Sequence, residues 1–129
     1  MNQHSLPILY SIIESPSHPD LSALYRRLGI TELQFKAMRR AMAELKRRPP
    51  DFVVAEFFYG YANNYAGVNI SNLDVFLFSL QKYAPRARVI VLVEKKERQY
   101  VDPLNKIFPL HAVLQQPVSQ EDIGQLLSP

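Results

Sequence analysis

Glu56 is the residue of this sequence best placed to do chemistry. It closes the run Pro50-Asp51-Phe52-Val53-Val54-Ala55-Glu56-Phe57, in which all but Asp51 and Glu56 are apolar. A continuous apolar run of this length reads as a buried central strand of a parallel sheet. Open α/β folds place their sites at the carboxyl ends of such strands. A carboxylate delivered there can attack as a nucleophile, hold a divalent cation or stand as a fixed negative charge. Glu14, where the apolar run from Pro7 to Ile13 breaks, is the second acid of this kind. Other chemistries find less support. The chain has no cysteine, so thiolate metal sites and disulfides are out of reach. His4, His18 and His111 lack metal-ligand spacing, and four glycines write neither a dinucleotide fingerprint nor a phosphate loop. The serines sit at caps and turns, outside any nucleophile-elbow motif. No cofactor and no metal is expected.

The second feature is a long uncharged stretch from Phe58 to Asn72 that carries Tyr59, Tyr61 and Tyr65. Tyrosine joins a large apolar area to a polar tip at low entropic cost, which suits a protein interface. Two other readings stand beside it: a lid folded over Val75 and Phe78, and the roof of a small-molecule pocket.

These residues need a scaffold, and the rest of the chain supplies one. Residues 7–13 read as a first strand, followed by a turn-rich loop from Glu14 to Pro19. Ser17 and Asp20 suit a capping box, with Pro19 in the first turn of a helix whose apolar stripe is Leu21, Leu24, Tyr25 and Leu28. Gly29 ends it. Thr31 to Phe35 alternates like an edge strand, with a helix from Thr31 as the competing reading. Lys36 to Arg47 forms a helix with Met38, Ala41, Met42 and Leu45 on one face, stopped by Pro49 and Pro50. Ser71 and Asp74 cap a helix with Leu73, Phe76, Leu77 and Leu80 inward. Arg88 to Val93 is the clearest strand. A charged turn from Glu94 to Arg98 then leads into a helix carrying Tyr100, Val101, Leu104, Ile107 and Phe108, with Pro103 in its first turn or at a kink. His111 to Gln115 is a short last strand, and Ser119 and Asp122 cap a final helix. Strictly alternating strands and helices imply an α/β fold of the doubly wound type, with a five-stranded parallel sheet covered on both faces.

The 129 residues suit one domain, spanning 1–129, that can stand within a longer protein. An apolar content of 47% and a charged content of 21% are those of an ordinary soluble globule. With no transmembrane window and no signal peptide, a cytoplasmic address without membrane contact is expected. Eight of the fifteen basic residues (Arg26, Arg27, Lys36, Arg39, Arg40, Lys46, Arg47, Arg48) fall in one span. They lack the interleaved aromatics of a nucleic-acid surface, so solvated helix faces are the favoured reading.

The pattern resembles a response-regulator receiver domain, the flavodoxin-like phosphoacceptor module of two-component signalling. The interval from Gly29 to Pro50-Asp51-Phe52-Val53-Val54-Ala55-Glu56 matches the family spacing between its second-strand glycine and its phosphoacceptor aspartate. Pro85-Arg-Ala-Arg-Val-Ile-Val-Leu-Val93 is similar to the fourth strand, and the run from Phe108 to Val118 is similar to the segment that carries Lys-Pro. The resemblance covers nearly the whole chain and implies strand order 2-1-3-4-5. It places the phosphoacceptor on Glu56, the metal-holding acidic pair near Ile13 and Glu14, the strand-four hydroxyl on Val93, the lysine on Gln116 and the switch aromatic at about Val113. The loop after the third strand carries an insertion relative to the family.

Those substitutions remove the chemistry together. Phosphoryl transfer to a carboxylate needs a divalent ion with several hard oxygen ligands, and Glu14 with Glu56 is a poor magnesium site. The extra methylene of Glu56 displaces the nucleophile from in-line attack. The expected protein is therefore not an enzyme. It is a phosphorylation-independent pseudo-receiver, a protein-interaction or dimerisation module bound to a protein partner or a fused effector domain. Two alternatives stand: a receiver phosphorylated at Glu56 or switched on by Glu56 as a phosphoaspartate mimic, and a nucleic-acid binder using the basic helices. For Glu56 itself, the expected environment is a strand-end acid facing solvent or paired with Lys95 or Lys96.

Overall fold

The runs richest in branched apolar residues lie side by side in the middle of the sheet. In the computed structural model, which describes residues 6–60 and 71–128, the strands are β1 (Ile8–Ile12), β2 (Thr31–Phe35), β3 (Phe52–Glu56), β4 (Arg88–Val93) and β5 (Ala112–Gln115). They form one parallel sheet in the order β2-β1-β3-β4-β5. The fold class and strand order are those the sequence implies. The residues of β3 from Val53 to Glu56 and of β4 from Val89 to Val93 are buried, as strands covered on both faces must be. β2, at the edge, has no fully buried residue and stays half-exposed. Its strand conformation settles the choice at Thr31 against a helix.

The helices are α1 (Ser22–Arg27), α2 (Met38–Glu44), α3 (Asp74–Tyr83) and α4 (Gln120–Leu127). Side chains alternate across the sheet and so build two cores. Tyr10, Val53, Ala55, Val89 and Val91 meet Ala41 and Leu45 on one side of α2 and Phe76, Leu77 and Leu80 of α3. Leu9, Val54, Ile90 and Leu92 meet Leu24 and Tyr25 of α1 and Ile123 and Leu127 of α4 on the other face. No helix of the described residues is long and apolar enough to cross a membrane.

Local signals decide the element ends, with two departures. Gly29 leaves α1 with φ of +75°, a conformation that a Cβ would strain. Ser119 caps α4 as expected, its hydroxyl accepting from the Asp122 N–H at 3.0 Å. The expected Ser17–Asp20 box does not start α1. The helix begins at Ser22, and Asp20 accepts from the Ser22 N–H at 3.0 Å. The expected helix after β4 is instead two 3-10 segments, Lys95–Tyr100 and Asp102–Lys106. Pro103 explains this: it has no N–H for an α-helical ladder, and its ring would clash with the carbonyl four residues back. Shorter-range bonds run from Val101 N–H to Arg98 O, from Leu104 N–H to Val101 O and from Ile107 N–H to Leu104 O. The inward residues Val101 and Leu104 are buried all the same.

Candidate functional site

The parallel sheet brings the carboxyl ends of β1, β3, β4 and β5 to one edge, and Glu56 sits at its centre. The side chain is not where the sequence reading placed it. Glu56 is 2% exposed and pairs with neither Lys95 nor Lys96, both of which are exposed. Lys96 lies instead 3.8 Å from Glu94. Buried carboxylates need donors, and here they come from the β1–α1 loop. Glu14 N–H donates to Glu56 Oε1 at 2.8 Å and Ser15 N–H to the same oxygen at 3.1 Å. Gln116 Nε2 donates to Oε2 at 3.3 Å. The β1–α1 loop turns its Glu14 and Ser15 amides onto the end of β3 and so keeps the carboxylate from solvent.

The other carried-over positions gather at the same edge in altered roles. Glu14 contributes its backbone amide, while its side chain is exposed. Val93 is fully buried at the end of β4, and only its carbonyl takes part in the edge, accepting from Gln116 N–H at 2.9 Å. Gln116 precedes a cis peptide bond to Pro117. Val113, at the expected switch position, is half-buried in β5. Among the described residues no group of three His, Cys, Asp or Glu side chains is placed to hold a metal ion.

Two clefts flank this edge. One, of roughly 370 Å³, is lined by Glu14, His18, Asp20, Glu32 and Gln34 among others; the other, of roughly 380 Å³, by Ser15, His18, Glu94, Lys95 and Gln116. His18 stands between them, and Glu56 lines neither. Burial holds the His18 imidazole below its ordinary pKa, while the charges of Glu56 and Glu32 pull the other way. Its Nδ1 is buried without a hydrogen-bond partner.

Of the tyrosine loop, Tyr61 and Tyr65 lie outside the described residues, but the base of the loop is well defined. Asn72 clasps it: its Nδ2 donates to Glu56 O at 2.9 Å, and its Oδ1 accepts from Phe58 N–H at 2.7 Å. Tyr59 and Ser71 form an antiparallel bridge beside it. Asp74 reaches back to Ser71 N–H at 2.7 Å, as a capping box would, and the Ser71 hydroxyl donates to the same Asp74 Oδ1 at 2.9 Å while accepting from Leu73 N–H at 3.0 Å. Tyr59 stacks on Tyr100, with ring centroids 3.7 Å apart and planes 14° from parallel. It remains 47% exposed. Val75 and Phe78 are 50% and 58% exposed; the lid expected over them lies outside the described residues. Sequence reasoning did not single out Asn72, Ser15 or Tyr100. Asn72 carries a weak signal, an Asx residue at the end of a long loop, but the partners of the other two are set by the fold alone.

No protein-family model matches the chain, and no curated protein matches it. Solved structures do. A DNA-binding response regulator, LuxR family, from Staphylococcus aureus superposes with a TM-score of 0.69 at 16% identity, covering 95% of this chain and 96% of that one. A response regulator from Thermotoga maritima gives 0.68 at 15% identity, with 97% and 100% covered. A response regulator protein from Burkholderia pseudomallei, solved with a phosphorylated aspartic acid, a calcium ion and citrate, gives 0.69 at 17% identity; 95% of this chain is covered but 66% of that one. At these identities the likeness is one of fold: the chain has the receiver-like, flavodoxin-type architecture.

Proposed function

We propose that this chain is a phosphorylation-independent pseudo-receiver that works by binding a protein, as an interaction or dimerisation module in signalling, and turns over no substrate. One observation carries the reading. The carboxylate at the phosphoacceptor position is buried and already engaged by Glu14 N–H, Ser15 N–H and Gln116 Nε2. A nucleophile must present a free oxygen in line with phosphorus, and here both oxygens are structural acceptors. The surface also exposes Tyr59, Val75 and Phe78, large apolar side chains that a protein partner can cover. Incubation with a small phosphodonor and magnesium, followed by intact mass measurement, tests the reading. No adduct is expected. A phosphate adduct that disappears in Glu56→Ala would overturn it.

The Glu56–Gln116 contact favours a second reading, in which Glu56 holds the domain in a permanently switched-on arrangement by joining β3 to the exit of β5. On that reading Glu56→Ala and Gln116→Ala each change partner binding or self-association by a similar factor. Unchanged binding in both folded variants counts against it.

A further inference from the structure

The opposite edge of the sheet carries a groove that the Glu56 site does not use. It encloses roughly 430 Å³ and is lined by Pro7, Leu28, Ile30, Asp51, Phe52, Arg86, Arg88 and Leu127. Register explains its shape. Phe52 pairs with Arg88 and with Leu9, so the groove opens over the amino ends of β1, β3 and β4. It lies between Leu28 after α1 and Leu127 at the end of α4, where the core of that face reaches the surface. Ile30 and Leu127 are buried at 7% and 5%, Leu28 is 37% exposed, and the neighbouring Leu6 is 57% exposed.

Charge gives this apolar groove a direction. Arg86 and Arg88 are exposed, and among the described residues neither guanidinium forms an ion pair or a hydrogen bond. The lining acid, Asp51, has its Oδ2 taken by Ile8 N–H at 2.8 Å. Arg26 and Arg27, in the last turn of α1, add positive charge beside Leu28. Two unpaired guanidiniums over an apolar floor complement a carboxylate set next to an apolar side chain, and a guanidinium fork binds carboxylate bidentately.

We propose that this amino-edge groove docks an acidic peptide segment of a protein partner, its apolar side chain seated on Ile30, Phe52 and Leu127 and its carboxylate held by Arg86 and Arg88. The proposal rests on the reading of the chain as a protein-binding module and adds a second surface with a defined partner chemistry.

The test is fluorescence anisotropy of a dye-labelled peptide in which paired leucines are flanked by glutamates, added to the full chain. Binding is expected to weaken with salt and to fall by about tenfold or more in the Arg86→Glu/Arg88→Glu variant. It should also fall in Leu28→Asp and stay unchanged in Lys106→Glu, a charge change at an exposed residue outside the groove, with circular dichroism confirming that each variant is folded. Absence of binding to the wild type overturns the groove. Binding lost in Tyr59→Ser but kept in the arginine variant also overturns it, while leaving the module reading intact. Two further outcomes overturn it: binding of octanoate but not peptide, which assigns the groove to a small amphiphile, and self-association lost in the arginine variant, which assigns it to a second copy.

Discussion

Gln116 Nε2 and Glu56 Oε2 lie 3.3 Å apart, so the residue leaving β5 is tied to the residue ending β3. With Glu14 N–H and Ser15 N–H on the other oxygen, one carboxylate joins three segments of the sheet edge. Glu56→Ala removes the acceptor of two partly buried backbone N–H groups and should cost about 2 kcal/mol in urea unfolding. Glu56→Asp, one methylene shorter, should cost nearly as much. If Glu56→Asp is neutral, the loop contacts do not hold the edge.

Tyr25 is 1% exposed, yet its hydroxyl has no hydrogen-bond partner. An unsatisfied buried hydroxyl is a penalty, so Tyr25→Phe should raise stability by about 1 kcal/mol, read as a higher urea midpoint at unchanged slope. Tyr10 is the control. Its hydroxyl donates to Arg48 O at 2.6 Å, and Tyr10→Phe should lower stability by about the same amount.

Both phenols also set an alkaline limit. Burial pushes Tyr10 and Tyr25 above the ordinary value of 10.0; the charge of Glu44 reinforces the shift at Tyr10 against Arg48, and Glu32 reinforces it at Tyr25. Below the unfolded value neither state releases a proton and the contribution is complete. Above it the unfolded chain ionises first, so stability falls as pH rises. His18, held low, contributes stability that is lost as pH falls below its unfolded value of 6.5. Urea midpoints measured across pH should therefore decline above about pH 10, and less so in Tyr10→Phe/Tyr25→Phe. An equal decline in the double variant would show that other groups set the limit.

Tyr59 and Tyr100 form a pair that can be isolated by a double-mutant cycle. Their stacking should give a coupling of about 1 kcal/mol between Tyr59→Ala and Tyr100→Ala. The same surface is the proposed interface, so replacing Tyr59, Tyr61 and Tyr65 with serine should weaken partner binding or self-association. If both persist unchanged, the tyrosines only close the loop.

The basic helices make a separate prediction. Arg47 and Arg48 are partly spent on Glu44, at 3.6 and 3.0 Å. Retention on DNA or RNA should be weak at low salt. Steeply salt-dependent binding would instead favour the nucleic-acid alternative.

How much of this was legible in the sequence follows from how local each cause is. β4 was read to the residue because its branched run needs no partner to be recognised, and β3 likewise within a residue or two. The 3-10 segments were hidden because the apolar spacing of Val101 and Leu104 survives while Pro103 changes the backbone beneath it. At the site, the residues that meet could be named, since parallel topology delivers Glu56, Val93 and Gln116 to one edge. Their roles could not: whether Glu56 meets solvent or amides depends on how the loop at Glu14 and Ser15 turns. The Tyr59–Tyr100 stack joins residues far apart in sequence and leaves no periodic trace.

The Asn72 clasp has a consequence for engineering. Because Asn72 binds Phe58 and the Glu56 carbonyl while Tyr59 bridges Ser71, the two ends of the intervening segment are fixed by bonds that do not involve its middle. Closure entropy grows only with the logarithm of length, by about 0.6 kcal/mol per doubling. An insertion between Gly60 and Ser71 is thus expected to leave the register of β3 unchanged, because the clasp bonds join the residues on either side of it.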